Sequence, residues 1–348
     1  MVATIGAAAL VLVAVVWWTG RPDHAQGDAQ VLATGLEVPW GLTFLPNGDA
    51  LVGERPNGRL YEIPAEGGEP QQVGTVPDVD DDGEGGLLGL ALDPSYDETS
   101  FVYAYLTTDT DNRIVRFRLG DDSGGVDGLE VLLDGIAKAG NHDGGALAFG
   151  PDGMLYAGVG DAAVPDRAQD PDSLNGKILR MDPDGNAPED NPDPASFVWS
   201  MGHRNVQGIA WDGDRMYATE FGQDTFDEVN LIEPGDNYGW PVVEGMGDDP
   251  AYTNPLVTWS TDEASPSGAA IVDGALYVGA LRGQRLWRVP LDGGGPEPLL
   301  DQQYGRLRNV QRAPDGSLWI TTSNRDGRGD PDDGDDRVLR LSDPDSVS

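Results

Sequence analysis

Residues 40–63 read WGLTFLPNGDALVGERPNGRLYEI: an apolar run, a Pro-Asn-Gly turn, a second run that ends in charge, another Pro-Asn-Gly turn, and a third run. Pro presets the first turn position and Gly accepts the left-handed one, so each triplet joins two antiparallel strands. A single three-stranded unit of this kind leaves both faces of its sheet open. It must stack against copies of itself.

The copies are present. Similar units begin near Leu88 (LGLALDPSYDETSFVYAYL, then DNRIVRFRL), near Gly145 (GALAFGPDGMLYAGVGDA, then GKILRMDPDG) and near Gln207 (QGIAWDGDRMYATEFG, then DEVNLIEPG). Two more begin near Ser267 (SGAAIVDGALYVGALRGQRLWRVPLDG) and near Arg308 (RNVQRAPDGSLWITTSNRDG, then DRVLRL). Successive starts lie roughly 40 to 60 residues apart, the spacing of propeller blades with loop insertions. Radial stacking buries the faces and leaves only short edges, so the spacing predicts an all-β, six-bladed β-propeller. A seven-bladed ring with one degenerate blade, or a pair of sandwiches, fits the periodicity less well. The reading divides the chain into an N-terminal hydrophobic signal or anchor segment with its linker (1–30), a propeller (31–342) and a tail (343–348).

Composition narrows the function classes. The 348 residues carry 60 acidic against 22 basic side chains, a net charge of −38, and the only lysines are Lys138 and Lys177. That surface repels phosphate backbones, which argues against nucleic acid as a partner. Acidity with few lysines suits a protein kept soluble in high salt, although a genome rich in G and C would also replace Lys by Arg. With no cysteine, disulfides, thiolate metal sites and thiol nucleophiles are excluded. Redox chemistry here needs a bound cofactor.

Residues 4–18 (TIGAAALVLVAVVWW) are free of charge and are followed by GRPDHAQGDAQ. The run is long enough for the hydrophobic part of an export signal and short for a membrane span. It lacks a basic start and a clean small-residue cleavage site, so an uncleaved membrane anchor competes with a cleaved signal. Both place the propeller outside the cytoplasm.

Several side chains fall where loops meet the first strand of a unit. His142 lies in AGNHDGGALAFG and His203 in SMGHRNVQGIAWD, two of only three histidines. A neutral imidazole at such an edge can act as general base, or can simply hold a turn together. Arg204, Arg282, Arg306 and Arg308 also stand at unit edges. Guanidinium groups there point to an anionic ligand or to pairing with nearby Asp. The segment EFGQDTFDEVNLIEPGDNYGW supplies Asp224, Asp227, Glu228, Tyr238 and the backbone carbonyls of Gly222 and Gln223, oxygen donors of the kind calcium takes, without EF-hand spacing.

The segments VPWGLTFLPNG, GEGGLLGLALDP, NHDGGALAFGPDG, DSLNGKILRMDPDG, GHRNVQG, DEVNLIEPGDNYGWP, GALRGQ and GRLRNV, in this order from Val38 to Leu341, resemble the PQQ-dependent glucose/sorbosone dehydrogenase family, which includes soluble aldose sugar dehydrogenases. The resemblance implies a six-bladed propeller with the tricarboxylate quinone PQQ on its mouth and Ca2+ at the quinone edge. It implies oxidation of an aldose to its lactone, with electrons passed to an acceptor that the sequence does not name. His142 matches the general base for the anomeric hydroxyl, and Arg204 the arginine beside the reacting carbonyl. Asn205, Arg306 and Arg308 match cofactor-binding positions, and Arg282 falls where some members have a cofactor-binding lysine.

The backbone carbonyls of Gly222 and Gln223 match calcium ligands. Glu228 and Tyr238 match positions of a second, structural calcium. Three departures stand out. Gln223 replaces a frequent proline, Glu84 stands at a cofactor-side position where glutamine is usual, and Asn141 stands where some members have aspartate. A carboxylate at Glu84 weakens the hold on an anionic cofactor unless an arginine or the metal pairs with it. Two other functions share the scaffold: a calcium-dependent lactonase, and a non-catalytic extracellular binding propeller of the hedgehog-interacting type.

Overall fold

The computed structural model describes residues 29–120 and 125–344. They form six four-stranded antiparallel sheets. The innermost strands are Pro39–Phe44, Leu87–Leu92, Ala146–Phe149, Val206–Asp212, Pro266–Val272 and Leu307–Arg312, here the inner strands of blades one to six. Each packs against the next, and the sixth packs against the first, which closes the ring. Every expected unit becomes one blade. The hydrophobic N-terminal run and residues 345–348 lie outside the described residues.

Crowding at the axis selects small residues. A Cβ at Gly208 would lie 2.3 Å from the carbonyl oxygen of Ser267 on the next blade, so only glycine fits there. Further out, large apolar side chains fill the wedges between blades. Trp40, Leu88, Tyr103, Tyr105, Leu147 and Leu155 form one such cluster, mostly from blades two and three. Each large side chain so buried contributes about 1.5–3 kcal/mol.

Blades one to five use consecutive strands, but blade six borrows. Its outermost strand is Gln30–Ala33, which pairs antiparallel with Val338–Leu341 from the far end of the chain. The buried carboxylate of Asp336 reinforces this seam. Its Oδ2 accepts the Val38 amide at 3.2 Å, and its Oδ1 accepts the Thr322 hydroxyl at 3.1 Å and the Asn324 amide at 2.6 Å. Blade six is thereby tied to the start of blade one.

Two kinds of loop share one face: those leading into the inner strands, and those joining second to third strands. A third element joins them. Residues 233–256 connect Phe226–Ile232 to Val257–Ser260 within blade four, and they bring Trp240 and Glu244 up among these loops.

Candidate active site

His142 sits in the loop before the inner strand of blade three, in left-handed backbone with φ +62°, which costs a non-glycine residue on the order of 1 kcal/mol. The surroundings impose it. Its amide donates to Glu84 Oε2 at 3.0 Å, and the Tyr105 hydroxyl donates to the neighbouring Asp143 carbonyl at 2.8 Å. A Cβ at Gly160 would stand 1.9 Å from the His142 carbonyl oxygen, so blade three can approach this closely only with glycine there.

His142 is 8% exposed. Nδ1 lies 2.8 Å from Asp161 Oδ1, and Nε2 lies 2.8 Å from Arg204 Nη2. Arginine has only donors and an ionised carboxylate only accepts, so the two partners together assign the tautomer. The proton is on Nδ1 and the lone pair is on Nε2. Asp161 is held in turn by the Ala163 amide and by the Trp240 indole N–H, each at 2.8 Å.

Arg204 is gripped on several sides. Nη1 donates to the Phe221 carbonyl at 3.0 Å, while Nε and Nη2 donate to Gln223 Oε1 at 3.1 and 2.7 Å. The Trp240 ring lies 5.5 Å from its guanidinium carbon. Burial lowers its pKa, with the charges of Asp161 and Glu220 opposing the fall. Next to it, Asn205 Oδ1 accepts the Gly144 amide at 3.0 Å, and its buried Nδ2 has no partner among the described residues. His203 serves differently. It is fully buried, with Nδ1 on Glu220 and Nε2 on Ser200, and it stacks on Tyr238 with centroids 4.8 Å apart. Glu220 also accepts the Arg204 amide, so this histidine supports the turn that carries Arg204.

Beside these groups a cleft of about 490 Å3 opens to solvent, lined among others by Trp40, Arg55, Glu84, Gln207, Arg308 and Arg328. Arg308 donates to Gln207 Oε1 at 2.8 Å and lies 3.7 Å from Asp326, while its buried Nε is unpaired among the described residues. Burial pulls this guanidinium down to about 9, with Asp326 opposing and Arg306 and Arg55 adding to the fall. Arg55 Nε is a second buried donor without a partner among the described residues. The cleft therefore holds more positive charge and more donors than its own acceptors satisfy. An anionic, oxygen-rich ligand fits it.

Glu84 does not spoil that balance, because Arg328 pairs with its Oε1 at 2.8 Å. Burial alone would raise this carboxyl. The hydrogen bonds from Arg328 and the His142 amide, with the charges of Arg328 and Arg308, outweigh burial and hold it below the usual range. The other two arginines are placed elsewhere. Arg306 gives both Nε and Nη2 to Asp326, at 3.0 and 2.9 Å, and stands behind the cleft lining. Arg282 is exposed on the turn after the second strand of blade five, where it reaches the Thr261 carbonyl at 3.4 Å and does not line the cleft.

A second, smaller cavity of about 220 Å3 lies against Arg204. It is lined by Glu220, Gly222, Glu228, Tyr238, Trp240 and Glu244, among others. Burial, and then the charge of Glu220, pushes Glu228 up to about 8. One oxygen of Glu244 caps the consecutive amides of Gln223, Asp224, Thr225 and Phe226 at 2.7–3.1 Å. Asp227 accepts the amides of Gly222 and Ser265. The Tyr238 hydroxyl is committed to the Leu231 carbonyl and the Glu233 amide, so only its backbone carbonyl is left to offer a cation. Among the described residues no three carboxylate or imidazole side chains converge on one point. A hard cation here would thus rely on backbone carbonyls beside Glu228, and the all-oxygen, acidic surroundings suit one.

Sequence reasoning did not single out Asp161, Trp240, Arg55, Gln207 or Asp326. A signal existed for Asp161, Arg55 and Asp326. Each follows the second strand of its blade, as Glu220 ends one, where a run such as LYAGV turns polar at the mouth.

The family model for glucose/sorbosone dehydrogenase matches residues 36–331, and the chain belongs to that family of sugar-oxidising propellers. Among solved structures it is similar to an aldose sugar dehydrogenase from Streptomyces coelicolor in its PQQ-bound form. The two share 51% identity, with 89% of this chain and 96% of that one covered and a TM-score of 0.87. A glucose dehydrogenase-type oxidoreductase from Thermus thermophilus is 44% identical, over 90% of this chain and 99% of that one, with a TM-score of 0.84. The aldose sugar dehydrogenase YliI of Escherichia coli is 29% identical over 86% of this chain and 91% of its own.

Proposed function

We propose that this protein is a PQQ- and calcium-dependent dehydrogenase that oxidises an aldose to its lactone, with His142 as general base. The observation that carries the reading is the imidazole between a partner that only accepts and a partner that only donates. That arrangement keeps a lone pair on Nε2 of a residue whose amide is bonded to Glu84 in the lining of a cleft with unmet donors. The relatives named for PQQ and for sugars support the cofactor and the substrate class.

PQQ, when bound, supplies the sink for the hydride that leaves C1 of the sugar. Arg308, Arg55 and Arg328 line the cleft and would hold its carboxylates, while Asn205, buried outside that lining with Nδ2 unpaired among the described residues, is a cofactor-binding position only by the family resemblance. His142 Nε2 takes the proton of the anomeric hydroxyl, so the C1–O bond becomes a carbonyl while the ring oxygen stays in place, which gives a lactone. Arg204 presents positive charge to the oxygen on which negative charge grows. Asp161 keeps the imidazole in its tautomer and stabilises the cation formed on proton uptake. A lactonase reading would need side-chain carboxylates converging on one metal, and the described residues bring no such set together. The charge-free run at residues 4–18 further supports placing the propeller outside the cytoplasm, as an exported or tethered protein.

Removing Arg308 tests the cofactor assignment. Arg308→Ala is expected to weaken PQQ binding by roughly 10- to 100-fold, the worth of a charge-assisted contact to a carboxylate. Arg306→Ala should do less, since its side chain is spent on Asp326. Absorbance titration of apo-protein with PQQ measures both. Unchanged affinity in Arg308→Ala would show that this arginine is structural.

Calcium should raise the melting temperature of chelator-treated protein, and more so at pH 9 than at pH 7. The sign follows from Glu228. Its folded pKa is raised, so the stability its neutral form lends is complete below about 4.5 and is lost as pH rises through about 8. A cation offsets the carboxylate that appears. An equal or absent shift at the two pH values, at fixed ionic strength, would count against the site.

A further inference from the structure

We propose that the side chain of Gln223 is a positioning residue for the reaction, holding Arg204 in register with His142. The inference rests on the proposed function only for its catalytic consequence. The geometry itself belongs to the free protein.

Arg204 faces His142 with one edge of its fork. Both N–H groups of Nη2 are engaged, one on His142 Nε2 at 2.8 Å and the other on Gln223 Oε1 at 2.7 Å, and Nε adds a second bond to the same amide oxygen at 3.1 Å. Removing the Gln223 acceptor would leave Nε with no acceptor among the described residues and Nη2 with His142 alone. The remaining hold would be the Phe221 carbonyl on Nη1 and the Trp240 ring. Neither constrains rotation of that edge toward or away from the imidazole.

The chemistry makes this hold useful. In the free protein Arg204 occupies the lone pair that must receive the substrate proton. When the anomeric hydroxyl takes that place, one N–H of Nη2 loses its acceptor and a guanidinium without a second hold would drift from the reacting oxygen. Gln223 Oε1 keeps both Nε and Nη2 in place through the exchange. Gln223 is also exposed, with its amide capped by Glu244, so replacing the side chain leaves the fold and the backbone carbonyl intact.

Gln223→Met removes the acceptor at similar length, and Gln223→Glu retains one. In apo-protein labelled with 15N-histidine, which carries only three imidazoles, the His142 Nε2 resonance should move in Gln223→Met and stay near wild type in Gln223→Glu. With PQQ and calcium loaded, Gln223→Met should lower kcat roughly 10-fold with KM within about twofold, as expected for loss of orientation rather than of binding. Gln223→Glu should recover most of that loss. An unchanged Nε2 resonance in Gln223→Met that still melts like wild type would overturn the proposal. So would tighter PQQ binding or faster turnover in that variant, which would mean that Gln223 obstructs a ligand. Failure of the wild type to oxidise any aldose would refute the dehydrogenase reading, while the apo spectra would still decide the role of Gln223.

Discussion

His142→Gln is expected to slow reduction of bound PQQ by an active aldose roughly 10²- to 10⁴-fold, the usual worth of a general base. Glutamine keeps a similar reach and can still bond Asp161 or Arg204, but it offers no usable basic lone pair. The loss should fall on the chemical step. Affinity for PQQ should stay close to wild type, because the donors that face the cleft belong to Arg55, Arg308 and Arg328. Single-turnover mixing separates the two effects by recording cofactor reduction after binding is complete. Reduction at near wild-type rate would remove His142 from the mechanism and leave it a strained turn residue.

Asp161→Asn should be nearly as damaging, with a fall in kcat of roughly 10²- to 10⁴-fold, as in other sites where an aspartate fixes a catalytic imidazole. The wild-type carboxylate accepts three donors: the His142 ring N–H, the Ala163 amide and the Trp240 indole. Asparagine must turn its NH2 toward at least one of them. If it faces His142, the proton moves to Nε2, where it points at a donor of Arg204, and the base is lost. If it faces Trp240, the indole loses its acceptor and the loop that carries it loosens. Steady-state rates with PQQ affinity measured in parallel test this. A fall of less than tenfold would mean that Arg204 alone sets the tautomer.

How far these residues could be read in advance depended on distance along the chain. The blade starts were legible because each is announced locally: units beginning near Trp40, Leu88 and Ser267 became inner strands starting at Pro39, Leu87 and Pro266. His142, Arg204 and Arg308 stood out because each lies beside such a start. Their partners did not. Asp161 meets His142 across the open end of the first hairpin of blade three, hinted at only by its place after a second strand, and Trp240 arrives on a connection that leaves blade four and returns, which no spacing rule announces. Arg282 and Arg308 looked alike in sequence, but one sits on an outer turn in water and the other on an inner strand facing the axis. Burial made the difference, and burial belongs to the assembled ring.

The borrowed strand of blade six also bears on how the protein comes into being. Gln30 pairs with Arg340, so the last seam joins points 310 positions apart, and bringing such ends together costs roughly 5 kcal/mol of chain entropy. Blades one to five are each built from consecutive strands and pack one on the next. Without that pairing the ring is an open arc, with Gln30–Ala33 lacking its partner Val338–Leu341. Closing the ring is what brings Arg308 and Asp326 of the last blade to face Trp40 and Arg55 of the first. That cleft spans the seam, so its lining is complete only where blade six has met blade one.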